Sequence, residues 1–205
     1  ATEGDFDAAV KFLREKGLAS AGKKESRIAA EGIVDCMTEG DVTAMIEVNT
    51  ETDFVAKTDN FQTMVNAISA HIAKTAPADL DALNASEIEA GKTVSALVTE
   101  SIAKIGENMN LRRAKVLSVN NGVVASYMHG ALRPNLGRIG VLVALESTAD
   151  KAKLAELGKH IAMHIAASNP LFLNIASVES AAVERERAIF AEQAKASGKP
   201  ENIIE

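Results

Sequence analysis

His160 and His164 stand four residues apart in His-Ile-Ala-Met-His. On a helix that spacing turns two imidazoles to one side, the arrangement zinc proteases use. Here Ile161 replaces the glutamate of that motif and no third ligand is evident. Core or surface histidines are therefore expected, with no metal and no metal-dependent hydrolase. Cys36 is the one cysteine. It falls in a predicted strand with nothing beside it to lower its pKa, so it reads as a buried, inert thiol. No glycine-rich phosphate loop of either standard spacing occurs. Glu184, Arg185, Glu186 and Arg187 alternate in sign on a predicted helix, as a solvated face or a coiled-coil flank does. No catalytic constellation emerges, and the chain is not expected to be an enzyme.

One loop stands out. Thr52-Asp53-Phe54-Val55 places a phenylalanine beside a carboxylate just after a predicted strand, in a chain that is only 3% aromatic and has no tryptophan. Two readings are open. Phe54 folds back onto its own core, the usual fate of loop aromatics. Otherwise it is an apolar plug shaped for a partner's pocket, the kind of anchor from which a small interface gains most of its energy.

The elements that must hold this loop follow from periodicity. Phe6, Ala9, Val10 and Leu13 fall at i, i+3, i+4 and i+7 and predict a helix over 5–16 that stops at Gly17. Residues 18–27, with Lys23, Lys24 and Arg27, read as a basic linker. Ile33 to Met37 and Val42 to Val48, joined by Thr38-Glu39-Gly40-Asp41, predict a β-hairpin. A helix follows, with Asp59 and Gln62 at capping-box spacing and Phe61, Met64, Val65, Ile68 and Ile72 on its core face. A polar loop leads to helical signal over 86–108, interrupted at Gly91 and Gly106. Val116 to Val119 and Val123 to Tyr127 flank Asn120-Asn121-Gly122, a strong hairpin signal. After Ile139 to Leu145 comes a helix over 150–168 with Leu154, Leu157, Ile161 and Ile165 inward, then a charged helix over 177–196.

The pattern repeats. Gly32-Ile33-Val34 answers Gly122-Val123-Val124, Val42 to Val48 answers Ile139 to Leu145, and His71-Ile72-Ala73 before Pro77 answers His164-Ile165-Ala166 before Pro170. A period of about a hundred residues is too long for a solenoid unit. The expected class is α+β, two related subdomains each with a small antiparallel sheet packed by helices. The composition suits this: 205 residues, 47% hydrophobic, 24% charged. A net charge of −6 weighs against nucleic acid as the partner. No apolar run is long enough to cross a membrane. A reducing compartment fits a single cysteine. The chain starts without Met and with no leader pattern, which is expected of a fragment.

Several longer stretches resemble the translation elongation factor Ts family. They are Glu47-Val-Asn-Thr-Glu-Thr-Asp-Phe-Val-Ala56, Lys104-Ile-Gly-Glu-Asn108 with Arg112-Arg113, Tyr127-Met-His-Gly130, Arg138-Ile-Gly-Val-Leu-Val143, His160 to Ala167 and Ser197-Gly-Lys-Pro200. The resemblance implies a core of two related α+β subdomains. It divides the chain into residues 1–27, the last helix of a ubiquitin-associated-like domain plus linker, 28–114 and 115–178, the two core subdomains, and 179–205, the start of a coiled-coil module. Relative to the family the chain is short at both ends, and the loop from Ala131 to Gly137 is longer than in compact members.

The implied function is guanine-nucleotide exchange on elongation factor Tu, with no cofactor. Thr52, Asp53, Phe54 and Val55 would disturb the partner's Mg²⁺ site, and Ile105, Gly106 and His129 would make further contacts. The C-terminal helical module offers a homodimer contact. The expected location is the bacterial cytoplasm or an organelle of bacterial descent. The alternative is a binding module of the same fold that has lost exchange.

Overall fold

A computed structural model describes residues 5–198. The expectations placed on Ala1–Gly4, on Lys199 and Pro200 of the tail motif, and on the side chain of Ala9 lie outside the described residues. The chain forms two compact units, one ending at Ala167 and one beginning at Ser168.

In the first unit, strands β1 (Glu31–Glu39) and β2 (Val42–Thr50) form the expected hairpin across Gly40-Asp41, and Gly40 takes φ 58°. Alternation sorts their side chains. Ile33, Ala44, Ile46 and Val48 are buried beneath a helix, α3 (Asp59–Thr75), whose Phe61, Met64, Val65, Ile68 and Ile72 are buried as expected. Each such side chain contributes roughly 1.5–3 kcal/mol on leaving water, so this layer dominates the stability of the unit. Thr58, not Asp59, caps α3, its Oγ1 accepting from Phe61 N at 3.4 Å. Gln62 is buried instead and donates to the Ala56 carbonyl at 3.2 Å.

The segment after α3 is more ordered than its polarity suggests. It forms α4 (Leu80–Ala85), a small hairpin of β3 (Glu87–Glu89) and β4 (Lys92–Thr93) turning at Gly91, and α5 (Val94–Ile105). The next strand, β5 (Met109–Ser118), pairs along β2, not with the strand after Asn120-Asn121-Gly122. The Asn-Gly signal therefore marks a crossing between sheets and not a hairpin, and β5 spans the subdomain division expected at 114/115. Gly122 has φ 149°, outside the conformation of a two-residue hairpin turn.

The first helix also differs from expectation. α1 (Phe6–Gly22) runs through Gly17 and absorbs half of the expected linker, residues 18–22. Gly17 does not end it. A Cβ there would lie 3.2 Å from Ala103 Cβ, so the small residue lets α1 approach α5 closely. Ala21 is buried, whereas Phe6, Val10 and Leu13, the apolar face expected to pack, are exposed.

The second copy pairs β6 (Gly122–His129) with β8 (Ile139–Glu146). Between them β7 (Leu136–Gly137) adds to the edge of the first sheet beside Val34 and Asp35. One face of β6–β8 meets the first sheet: a Cβ on Gly140 would fall 2.6 Å from Met45 Sδ and 2.7 Å from Val34 Cγ1. The other face carries α6 (Lys151–Ser168). Its buried positions are Leu154, Gly158 and Ala162, while Leu157 is exposed and Ile161 and Ile165 are half-buried. Leu154 is inward as expected, but at Gly158 the helix lies so close to Ala125 that only a small residue fits, which shifts the buried face off Leu157. Among the described residues no helix is long and apolar enough to cross a membrane.

The second unit holds a short 3₁₀ turn at Ile175–Ser177 and the charged helix α7 (Ser180–Ala196).

Candidate partner-binding site

The loop after β2 is one turn of helix, α2 (Asp53–Ala56), not irregular chain. Thr52 caps it, its hydroxyl accepting from Val55 N at 3.4 Å. The turn has two sides. Ala56 is buried and Val55 packs on the core, whereas Phe54 is 77% exposed. The fold removes the first reading of Phe54, that it folds back onto its own core: its ring stands in water beside a turn already anchored by its neighbours. Asp53 pairs with Lys57 at 2.6 Å. The hydrogen bond from Lys57, with its charge and that of Arg138, holds the Asp53 carboxyl below its ordinary range. Asp53 thus stays anionic at neutral pH.

Ile105 ends α5, half-buried, and Gly106 follows in the left-handed region at φ 95°. Its N–H donates to Ile102 O at 2.9 Å. A side chain is strained in that conformation, so the glycine closes the helix and turns the chain back toward β2. There Glu107 meets the Thr52 region. Its carboxylate accepts from Thr50 Oγ1 at 2.9 Å, Thr52 N at 3.0 Å and Thr52 Oγ1 at 2.7 Å. Burial pushes this carboxyl up, and the hydrogen bonds from Thr52 and Thr50 outweigh it, so its pKa lies below the usual value. A reciprocal bond joins the same two loops: Asn108 N donates to Glu51 Oε1 at 2.6 Å. Asn108 Nδ2 also donates to the Arg27 carbonyl at 2.7 Å.

The fold thus joins Thr52–Val55 to Ile105–Gly106, pairs that stand about fifty residues apart in sequence. His129 ends β6 on the other sheet, exposed, with Nδ1 3.2 Å from Tyr127 Oη. Its carbonyl accepts from Arg138 N at 3.1 Å, and the Arg138 guanidinium reaches Glu31 at the start of β1 at 2.6 Å. Arg133, from the same excursion, donates to Asp59 at the start of α3 at 2.5 Å. Two arginines therefore tie the second copy's loop to the starts of β1 and α3 in the first.

Lys57 was not singled out from the sequence, and Glu107 and Arg138 stood there only within longer stretches, with no role of their own. Glu107 lay inside the Lys104–Asn108 stretch, but an acid after a helix gives no sign in sequence that three donors about fifty residues away converge on it. The histidines at 160 and 164 are exposed. Among the described residues no three His, Cys, Asp or Glu side chains converge as metal ligands. Cys36 is buried, and burial pushes its thiol pKa up.

Against known proteins, residues 51–205 match the family model described as Elongation factor TS. The chain is similar to the Elongation factor Ts of Rhodospirillum rubrum, 53% identical over 100% of this chain and 66% of that protein. It is 52% identical to that of Gluconobacter oxydans over 98% of this chain and 67% of that protein. For Rhizobium etli the identity is 51%, over 100% and 66%. The chain spans about two thirds of the length of the curated relatives it matches.

Proposed function

The chain belongs to the elongation factor Ts family, and from that premise we propose that it binds elongation factor Tu carrying GDP and promotes release of the nucleotide, so that GTP can load. The observation that carries this reading is Phe54: an exposed aromatic on a helical turn whose other side is buried and whose cap is tied down. A side chain presented this way is pre-organised, so little conformational freedom is lost when it enters a pocket. Asp53 beside it carries a negative charge near the point of entry.

Exchange needs no catalytic group on this chain. In the GTPase, Mg²⁺ bridges nucleotide phosphates to protein and neutralises their charge. Inserting Phe54 where it displaces the groups around that ion removes part of the nucleotide's electrostatic anchoring. A factor that binds the nucleotide-free GTPase more tightly than the GDP form weakens GDP by the same coupling energy, because linkage is reciprocal. Ile105, Gly106 and His129 supply further contacts around the Phe54 turn. Its place of action is then the compartment of its partner, the bacterial cytoplasm.

The test is release of a fluorescent GDP analogue from purified elongation factor Tu, with and without this chain, at fixed Mg²⁺. Acceleration is expected. Binding without acceleration would favour a module that has lost exchange, and no binding would overturn the reading.

A further inference from the structure

Resting on that reading, we propose that Glu107 is a positioning residue for the partner-binding turn: its carboxylate sets the direction of the Thr52 hydroxyl and thereby the cap that holds Phe54 in its presented geometry.

The argument begins with hydrogen-bond capacity. An ionised carboxylate only accepts. The Thr52 hydroxyl, 2.7 Å from Glu107 Oε1, must therefore give its single proton to Glu107. That leaves its oxygen lone pair for the Val55 N–H, which is the capping bond of α2. The charge on Glu107 thus fixes which way the hydroxyl points, and bonds to an ionised acceptor are the stronger kind. The second oxygen is engaged as well, by Thr52 N at 3.0 Å and Thr50 Oγ1 at 2.9 Å. Thr50 is fully buried, so this end of the network is fixed in the sheet.

Four residues of helix cannot hold themselves. Asp53–Ala56 is held by buried Ala56, by Val55 against the core, by the exposed Asp53–Lys57 pair and, at its start, by the Thr52 cap. Phe54, pointing to solvent, adds nothing to its stability. The lacing is also specific to a carboxylate. A glutamine at 107 presents one oxygen and one NH₂. The Thr52 backbone N–H cannot rotate, so the amide oxygen must take the Oε2 place. The NH₂ then faces Thr52 Oγ1, which has to accept from it, turn its own proton away, and share its oxygen between that NH₂ and the Val55 N–H.

Two measurements test this on the intact chain. The first needs no partner. In Glu107→Gln the amide of Val55 should exchange with solvent at least about fivefold faster, while the α3 amides of Val65 and Ile68 keep their protection. The second is a double-mutant cycle read in GDP release from elongation factor Tu. Glu107→Gln should lower acceleration about tenfold, and in a Phe54→Ala background it should cost less than about twofold, because Glu107 acts through Phe54. Unchanged Val55 exchange, or equal losses in both backgrounds, would overturn the proposal. A wild-type chain without acceleration would instead sink the exchange reading, and the Val55 amide would still decide the role of Glu107.

Discussion

Gly32 and Gly122 hold the same backbone conformation, φ 148° and 149°, at equivalent places in the two copies of the fold. Each faces the partner strand so closely that a Cβ would lie 2.2 Å from the Val48 carbonyl oxygen in one copy and 1.9 Å from that of Leu145 in the other. The registers agree, with Ile33 opposite Val48 and Val123 opposite Leu145. The helices agree too: α3 ends at Ala76 with φ 43° before Pro77, and α6 ends before Asn169 with φ 45° and Pro170. Gly32→Ala and Gly122→Ala should therefore each destabilise the fold by about 2–4 kcal/mol, since both strain at that φ and a backbone clash oppose the methyl. Urea denaturation of the two variants checks this. A loss under about 0.5 kcal/mol at either site would show that the strands can part without cost.

That repeat was legible in sequence because glycine, alternation and the His-Ile-Ala stretch before proline each mark one geometry. The hairpin of β1 and β2 and the core face of α3 were legible for the same reason. Local signals failed where distance decided. Asn120-Asn121-Gly122 has the composition of a turn, yet the long-range pairing of β5 with β2 overrides it. Gly17 has the composition of a helix stop, yet it serves contact with Ala103. The site divides in the same way. Phe54 was visible as an aromatic out of place, whereas Glu107 acquires its role only when β2 and the end of α5 come together.

Phe54→Ala should separate binding from folding. The ring is 77% exposed, so its removal should change stability by no more than about 0.5 kcal/mol. Acceleration of GDP release should fall roughly tenfold to a hundredfold, as when an interface anchor is truncated. Thermal unfolding and exchange on one preparation give both numbers. A variant that unfolds would make Phe54 a core residue after all.

His71 should make stability depend on pH below neutrality. Its ring, half-buried on α3 with Nε2 2.7 Å from Ser86 Oγ, has a pKa lowered first by burial and then by Lys74. The unfolded chain therefore binds a proton in a range where the folded chain does not, and stability must rise with pH across that range. The effect is complete above the unfolded value of about 6.5 and is lost as pH falls from there toward the folded pKa. The urea midpoint of the wild type should drop between pH 7.5 and 5.5, and His71→Gln should show a shallower drop. Parallel curves would assign the slope to other groups.

The contact between α6 and the second sheet allows a sharper test, because two effects of known sign oppose each other at one residue. Gly158 sits inside the helix, where alanine is normally favoured by about 1 kcal/mol. Yet a Cβ there would lie 2.6 Å from Ala125 Cβ and 3.3 Å from Leu145 Cδ1. Ala125 belongs to a strand and is buried, so it cannot swing aside as a long side chain could. Overpacking of this kind costs typically 1–3 kcal/mol, which outweighs the propensity gain. Gly158→Ala should therefore destabilise the wild type by about 1 kcal/mol. In an Ala125→Gly background the obstructing methyl is gone, and beside the propensity term there remains only Leu145 Cδ1, the far end of a flexible side chain that can give way. There the same substitution should stabilise by up to about 1 kcal/mol. Chemical denaturation of the four proteins closes the cycle, and the reversal of sign is the outcome that matters. The same sign in both backgrounds would mean that Ala125 is not what keeps position 158 a glycine.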